Sequence, residues 1–223
     1  MSIGGFVRLS AVDWPGQLAA VVFCQGCGWR CGYCHNPHLI PFTAPPNPVD
    51  WADVLLFLTR RRGLLDGVVF SGGEPTLQPG LLSAVAAVRA LGFSVGLHTG
   101  GPSPEALRGL LPMLDWVGFD FKAPFDRYVQ VTGRDHGLRA QESLKHLLAS
   151  GVEHEIRTTW HPRLLSVSEL GTMARMLSEA GCREWIIQRF RPDGCADAGL
   201  AEEPVGDVPL DAVDVPGLRV LVR

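Results

Sequence analysis

Residues 18–37 read Leu-Ala-Ala-Val-Val-Phe-Cys-Gln-Gly-Cys-Gly-Trp-Arg-Cys-Gly-Tyr-Cys-His-Asn-Pro. The first seven are a continuous apolar run, and the rest a loop rich in cysteine and glycine. An unbroken apolar run of this length, bounded by turn residues, fits a strand buried on both faces, as in a parallel sheet covered by helices. The chemistry-bearing residues then follow the strand's carboxyl end, where open and closed parallel α/β sheets place their sites.

The same pattern repeats outward from this stretch. Residues 67–70 (GVVF), 93–97 (FSVGL), 116–121 (WVGFDF), 155–159 (EIRTT) and 185–190 (WIIQRF) read as further strands. Amphipathic segments separate them. Asp50 is placed to cap a helix over about 51–62; Leu81, Leu82, Val85 and Val88 share a helical face, as do Leu170, Met173 and Leu177. About six β/α units result, enough for most of a (β/α) barrel but not eight. The fold class expected is therefore α/β, a partial six-unit TIM-like barrel, in a single domain over residues 1–223. Pro41–Pro48 reads as a surface loop. An irregular acidic tail is expected from about 196, ending in a short strand, LRVLV.

Each strand end carries unusual residues. Ser71-Gly72-Gly73-Glu74-Pro75 follows the second, His98-Thr99-Gly100-Gly101 the third, and Asp120 and Lys122 the fourth. Arg157 lies in the fifth; Arg189 and Arg191 close the sixth. Asp120 and Lys122 alternate onto one face and are expected to pair with each other or with a ligand. The run Arg60-Arg61-Arg62 reads as a solvated helix end.

Composition narrows the function classes. Apolar residues make up 46% of the 223 and charged residues 19%, which places the chain among folded globular proteins. A net charge of −3 gives no basic excess to support nucleic-acid binding. No apolar run reaches membrane-span length and the N-terminus lacks signal-peptide features, so a cytoplasmic location without membrane contact is expected. Four of six cysteines fall within eleven residues, which in such a chain points to metal binding rather than disulfides.

Two readings of that loop stay open. Cys24, Cys27, Cys31 and Cys34 could close a structural zinc site, although three residues between the two pairs is short for zinc knuckles. Alternatively, Cys24 is a buried strand residue, and Cys27, Cys31 and Cys34 hold a four-iron cluster with one iron open.

The C-x3-C-x2-C spacing with Tyr33 before the last cysteine, together with GGEP at 72–75, resembles the radical S-adenosylmethionine (SAM) superfamily. Cys34-His35-Asn36-Pro37, the N-terminal LSAVDWPG and Val131-Thr132-Gly133 resemble the activating enzymes of glycyl-radical proteins. With IRTTWHP at 156–162 and IIQRFRP at 186–192, the pattern is most similar to activators of anaerobic ribonucleoside-triphosphate reductase. Pyruvate formate-lyase activation, and small-molecule enzymes such as carboxy-deazaguanine synthase, are the neighbouring readings.

That resemblance implies a [4Fe-4S] cluster on Cys27, Cys31 and Cys34 and SAM as the second cofactor. SAM contacts are implied for Tyr33, His35, Gly72, Gly73, Glu74, Pro75, Thr99, Gly100, Asp120, Lys122, Arg157 and Arg191. Glu74 would take SAM's ammonium and Arg157 its carboxylate. His98-Thr99-Gly100-Gly101 departs from the Asp-Thr-Asn-Gly of many relatives, which puts a monovalent cation site in doubt and leaves His98 as a core histidine. The partners implied are a glycyl-radical enzyme and an electron donor such as flavodoxin or ferredoxin.

Overall fold

A computed structural model describes residues 1–195 and 197–223. One sheet of eight strands runs in chain order. Strand β1 (Ile3–Ser10) pairs antiparallel with β2 (Ala19–Cys24). Parallel pairing then continues through β3 (Gly67–Gly72), β4 (Ser94–Thr99), β5 (Trp116–Asp120), β6 (Glu153–Trp160), β7 (Glu184–Arg189) and β8 (Arg219–Val222). The crossover helices are α1 (Trp51–Thr59), α2 (Leu81–Ala90), α3 (Pro104–Leu110), α4 (Tyr128–Thr132), α5 (Gly137–Ser150) and α6 (Val167–Glu179). The six β/α units expected are present. Among the described residues β1 and β8 pair with no further strand, so the barrel is open between them.

Strand parity explains the continuous apolar runs. Ala20, Val22, Val68, Phe70, Val95, Leu97, Val117 and Phe119 face the helices in one large core. Ala19, Val21, Val69 and Trp116 face the barrel interior and pack on Trp14, whose ring stacks on Trp116 at 5.7 Å. Trp14 lies on the connection from β1 to β2 and seals the amino-terminal end of the barrel. The same inward parity, continued toward the carboxyl ends, presents polar residues: Ser71, His98, Asp120, Arg157, Thr159 and Gln188.

Local signals set the element ends. Asp50 caps α1 by accepting from the Ala52 N–H. The helix stops at Thr59, three residues before the expected end, because the chain tightens into turns through Arg60 and Arg61. Ser166 and Glu169 form a complete capping box on α6. Leu82, expected on the inward face of α2, is half exposed, while Leu81, Ala84, Val85 and Val88 are buried.

The tail is more ordered than expected. It holds a short helix, α7 (Ala198–Ala201), a 3-10 turn at Leu210–Val213 and strand β8, which corresponds to the LRVLV reading. The expected tail boundary, Ala196, lies outside the described residues. Among the described residues, no helix is long and apolar enough to cross a membrane.

Candidate functional site

The loop after β2 folds against the loop after β3. The Gly73 N–H donates to the Cys24 carbonyl at 2.8 Å, and the Glu74 N–H to the Gly26 carbonyl at 2.9 Å. A Cβ on Gly73 would collide with the Gly26 backbone, so only glycine allows this approach. The side of the cysteine loop facing the tail is braced at two points. The ring Nε2–H of His35 donates to the Arg191 carbonyl at 2.8 Å, and the Asp197 N–H donates to the Gly32 carbonyl at 3.1 Å.

These loops wall a cavity of about 350 Å³ at the carboxyl ends of the strands. That volume is within the roughly 300–1,000 Å³ of small-molecule sites. Cys27, Cys31 and Cys34 all line it, and Cys24 does not. Cys24 is fully buried at the end of β2, and burial pushes its thiol up to about 12. Burial likewise raises Cys27 to about 12, with the Glu74 charge adding to it, and Cys31 to about 11.

Glu74 lines the cavity, is 3% exposed and is held by four donors of this chain, three on one oxygen and one on the other. Its Oε1 accepts from the Thr76 N–H at 3.0 Å and from the Thr76 and Thr99 hydroxyls, each at 2.7 Å. Its Oε2 accepts from the Gly100 N–H at 3.0 Å. The carboxylate therefore ties the Gly-Gly loop to the end of β4. Burial still raises its pKa against the pull of those bonds.

Asp120 sits between two cations. Lys122 Nζ lies 3.1 Å from its Oδ2 and Arg157 Nη2 2.9 Å from its Oδ1. Burial would raise the Asp120 pKa, but the Lys122 and Arg157 charges override it and hold the carboxyl well below its usual range. Burial pulls Lys122 down, yet Asp120 leads a set of interactions that lifts its pKa well above the usual value. Gly118 makes room for Arg157, since a Cβ there would lie 2.7 Å from the guanidinium carbon. The polar pairing expected at Asp120 and Lys122 is present, with Arg157 as its third member.

His98 is a satisfied histidine at the cavity floor. Its Nε2–H donates to the Asp13 carbonyl at 2.7 Å, and its Nδ1 accepts from the Ser71 hydroxyl at 3.1 Å. Burial, then the Arg157 charge, pushes its pKa down to about 3, so the ring is neutral near pH 7.

The remaining expected residues divide. Tyr33, His35, Gly72, Gly73, Thr99 and Gly100 line the cavity, and the Tyr33 ring lies 5.3 Å from Lys122 Nζ. Pro75 is buried in the 3-10 turn behind Glu74 and is not on the cavity wall. The structure also departs from the reading of Arg191 as a SAM contact. Its residue is exposed and absent from the wall, because β7 ends at Arg189 and the chain leaves the rim; its carbonyl serves His35 instead. Asp13, Phe23, Thr159 and Gln188 line the cavity without having been anticipated. Inward parity with Arg157 marks Thr159, and β7 parity marks Gln188. Asp13 arrives from the β1–β2 connection, which no local signal ties to the site.

The model of the radical SAM superfamily matches residues 21–164, and the chain belongs to that superfamily. It is therefore a radical SAM enzyme, of a class that works with a [4Fe-4S] cluster and SAM. Among relatives, a protein of Methanocaldococcus jannaschii described by inference as a glycyl-radical enzyme activating enzyme is 30% identical over 218 residues, covering 91% of this chain and 85% of that one. A pyruvate formate-lyase-activating enzyme of Clostridium pasteurianum is 33% identical, covering 72% and 69%. A 7-carboxy-7-deazaguanine synthase of Thermococcus kodakarensis is 30% identical, covering 67% and 65%. The fold matches Streptococcus suis SuiB bound to S-adenosylmethionine, with a TM-score of 0.67 at 13% identity over 91% of this chain. This chain spans about half of SuiB (49%).

The donor set fits the superfamily's cluster. Three thiols, soft ligands suited to iron–sulfur cores, line one cavity with room beside them. The rest of the wall carries the Asp120, Lys122 and Arg157 charges, suited to a zwitterionic second cofactor.

Proposed function

We propose that this enzyme is a glycyl-radical-enzyme activase, with anaerobic ribonucleoside-triphosphate reductase as its partner. Cys27, Cys31 and Cys34 would hold the [4Fe-4S] cluster, and the opposite wall would seat SAM. When bound, these cofactors supply a one-electron cleavage yielding a carbon radical that can take a glycine Cα hydrogen. The chain's own contribution is placement. Arg157, with its guanidinium fixed by Asp120, would orient SAM's carboxylate. Tyr33, beside Lys122, offers a flat face for the adenine, while Glu74 fixes the Gly-Gly loop against Thr99 and Gly100.

The observation that carries this reading is the set of three cysteine side chains on one cavity in a barrel left open between β1 and β8. An opening at the strand edges suits a protein segment as substrate. The end-to-end likeness to an activating enzyme supports the same conclusion.

The test is anaerobic incubation of the reduced, cluster-loaded protein with SAM and a purified anaerobic reductase. A glycyl-radical doublet in the electron paramagnetic resonance spectrum of the reductase is expected. SAM cleavage with no such signal, together with formation of a carboxy-deazaguanine product from a small-molecule substrate, would favour the deazaguanine synthase reading that the third relative raises.

A further inference from the structure

The strand-borne polar side chains of the cavity wall differ in how they are held. Ser71 bonds His98, Thr99 bonds Glu74, and Asp120 bonds Arg157. Thr159 on β6 and Gln188 on β7 are register partners, point inward by strand parity and line the same cavity. Among the described residues, neither the Thr159 hydroxyl nor the Gln188 carboxamide forms a hydrogen bond, whereas the side chains of their sequence neighbours Thr158 and Arg189 do. Both residues are half-buried. They are therefore polar groups set in a cavity wall with their bonding capacity free, the kind of group that orients a ligand.

Their place in the strand order puts them beside the opening. Among the described residues, none of β1 or β8 lines the cavity, so Gln188 is the last strand residue of the wall before the gap between β8 and β1. The wall resumes on the other side of that gap with Val12, on the β1–β2 connection, and Phe23, on β2. Val12 is 87% exposed although it lines the cavity. The three cysteines come from the loop after β2, and the cations Lys122 and Arg157 meet at Asp120 on the β5–β6 side.

A carboxamide offers an acceptor oxygen and an N–H donor side by side, and a hydroxyl can do either. Uncharged groups of this kind match a neutral amide rather than an ammonium or a carboxylate. In an extended chain the N–H and C=O of one residue point to the same side, so one glutamine side chain can bond both and fix the Cα between them. We propose that Gln188 and Thr159 bind the main chain of the glycine-bearing segment where it enters between β1 and β8. Gln188 takes the N–H and C=O of the glycine, and Thr159 takes a neighbouring carbonyl. This rests on the activase reading above. A glycine has no Cβ to hold the clamp away, and the clamp sets its Cα at the cavity. A ring amide of a small heterocycle presents a similar edge, but a site next to a gap in the sheet favours a continuous chain.

The test uses cluster-loaded enzyme, SAM and dithionite with a synthetic peptide spanning the radical-site glycine of an anaerobic reductase, deuterated at the glycine Cα. A second peptide carries N-methylglycine at that position. Deuterium transfer into 5′-deoxyadenosine is followed against peptide concentration in wild type, Gln188→Met and Thr159→Val, which keep side-chain size and remove the hydrogen bonds. KM for the intact reductase is read in parallel from its glycyl-radical signal. N-Methylation should raise the wild-type KM about ten-fold, the scale of one or two neutral hydrogen bonds. Gln188→Met should show a similar rise with the plain peptide, and methylation should then add less than about two-fold, as for two changes that remove one interaction. Thr159→Val should raise KM and stay sensitive to methylation. An unchanged KM for peptide or reductase in Gln188→Met, or methylation costing it as much as wild type, overturns the proposal. If Gln188→Met does not fold, an unchanged KM in Thr159→Val overturns it. So does a carboxy-deazaguanine product whose formation Gln188→Met slows, which would give the pair to a ring amide. Wild type that moves no deuterium and forms no radical on the reductase contradicts the functional reading itself and this site with it.

Discussion

Asp120 and Arg157 are register partners across β5 and β6, and their side chains repeat that pairing. Both Arg157 Nε, at 3.1 Å, and Nη2, at 2.9 Å, donate to the one oxygen Oδ1. The other oxygen, Oδ2, takes Lys122. One carboxylate therefore holds two cations. Their side chains are 11% and 13% exposed, and that of Asp120 31%.

Removing the shared anion should be costly. Asp120→Ala leaves two mostly buried cations unpaired, and loss of a buried partner costs about 3–5 kcal/mol. The partial exposure of Asp120 puts the expected loss at the lower end. Urea unfolding of the cluster-free protein reads it. Arg157→Lys loses the paired donation and should weaken SAM binding more than it weakens folding.

Much of this arrangement is visible in the sequence, because strand parity and position at a strand end are local properties. Asp120 and Lys122 alternate around Phe121, and Arg157 sits in an apolar strand where a charge needs a partner. Arg191 failed that logic. Its number places it after a strand, but only the path of the chain shows that it lies exposed and off the cavity wall. Strand β1 was unreadable for a related reason. IGGFVRLS mixes glycine, arginine and apolar residues, and its identity as a strand comes from antiparallel pairing with β2 rather than from its own pattern. Asp13 and Trp14 reach the barrel interior only through that pairing.

Glu74 gives a second prediction. Glu74→Gln turns one acceptor oxygen into a donor facing N–H or O–H groups. Losing buried bonds of this kind costs about 1–3 kcal/mol. The loss should appear in thermal unfolding of the cluster-free protein and, through the displaced Gly-Gly loop, as weaker SAM binding in the loaded enzyme. An unchanged melting temperature would contradict the bracing role.

His98 predicts a pH dependence. Its folded pKa lies at about 3, below the ordinary 6.5. The unfolded chain therefore takes up the proton first as pH falls. The stability contributed by the neutral ring is complete above about pH 6.5 and is lost progressively toward pH 3. His98→Gln can keep one donor and one acceptor without titrating. Between pH 6.5 and 5, its unfolding free energy should fall less steeply than that of wild type.

The cysteines divide into two groups. Cys27→Ala, Cys31→Ala and Cys34→Ala should each lose the iron–sulfur absorption. Cys24→Ala should keep it and lose only about 1 kcal/mol of stability from a small packing defect. Loss of iron from Cys24→Ala comparable to that from Cys27→Ala would restore the four-ligand reading.

The most direct measurement is the metal content of anaerobically purified protein. About four irons with matching sulfide per chain, and no stoichiometric zinc, is the predicted result. One zinc per chain in a colourless protein would contradict the account.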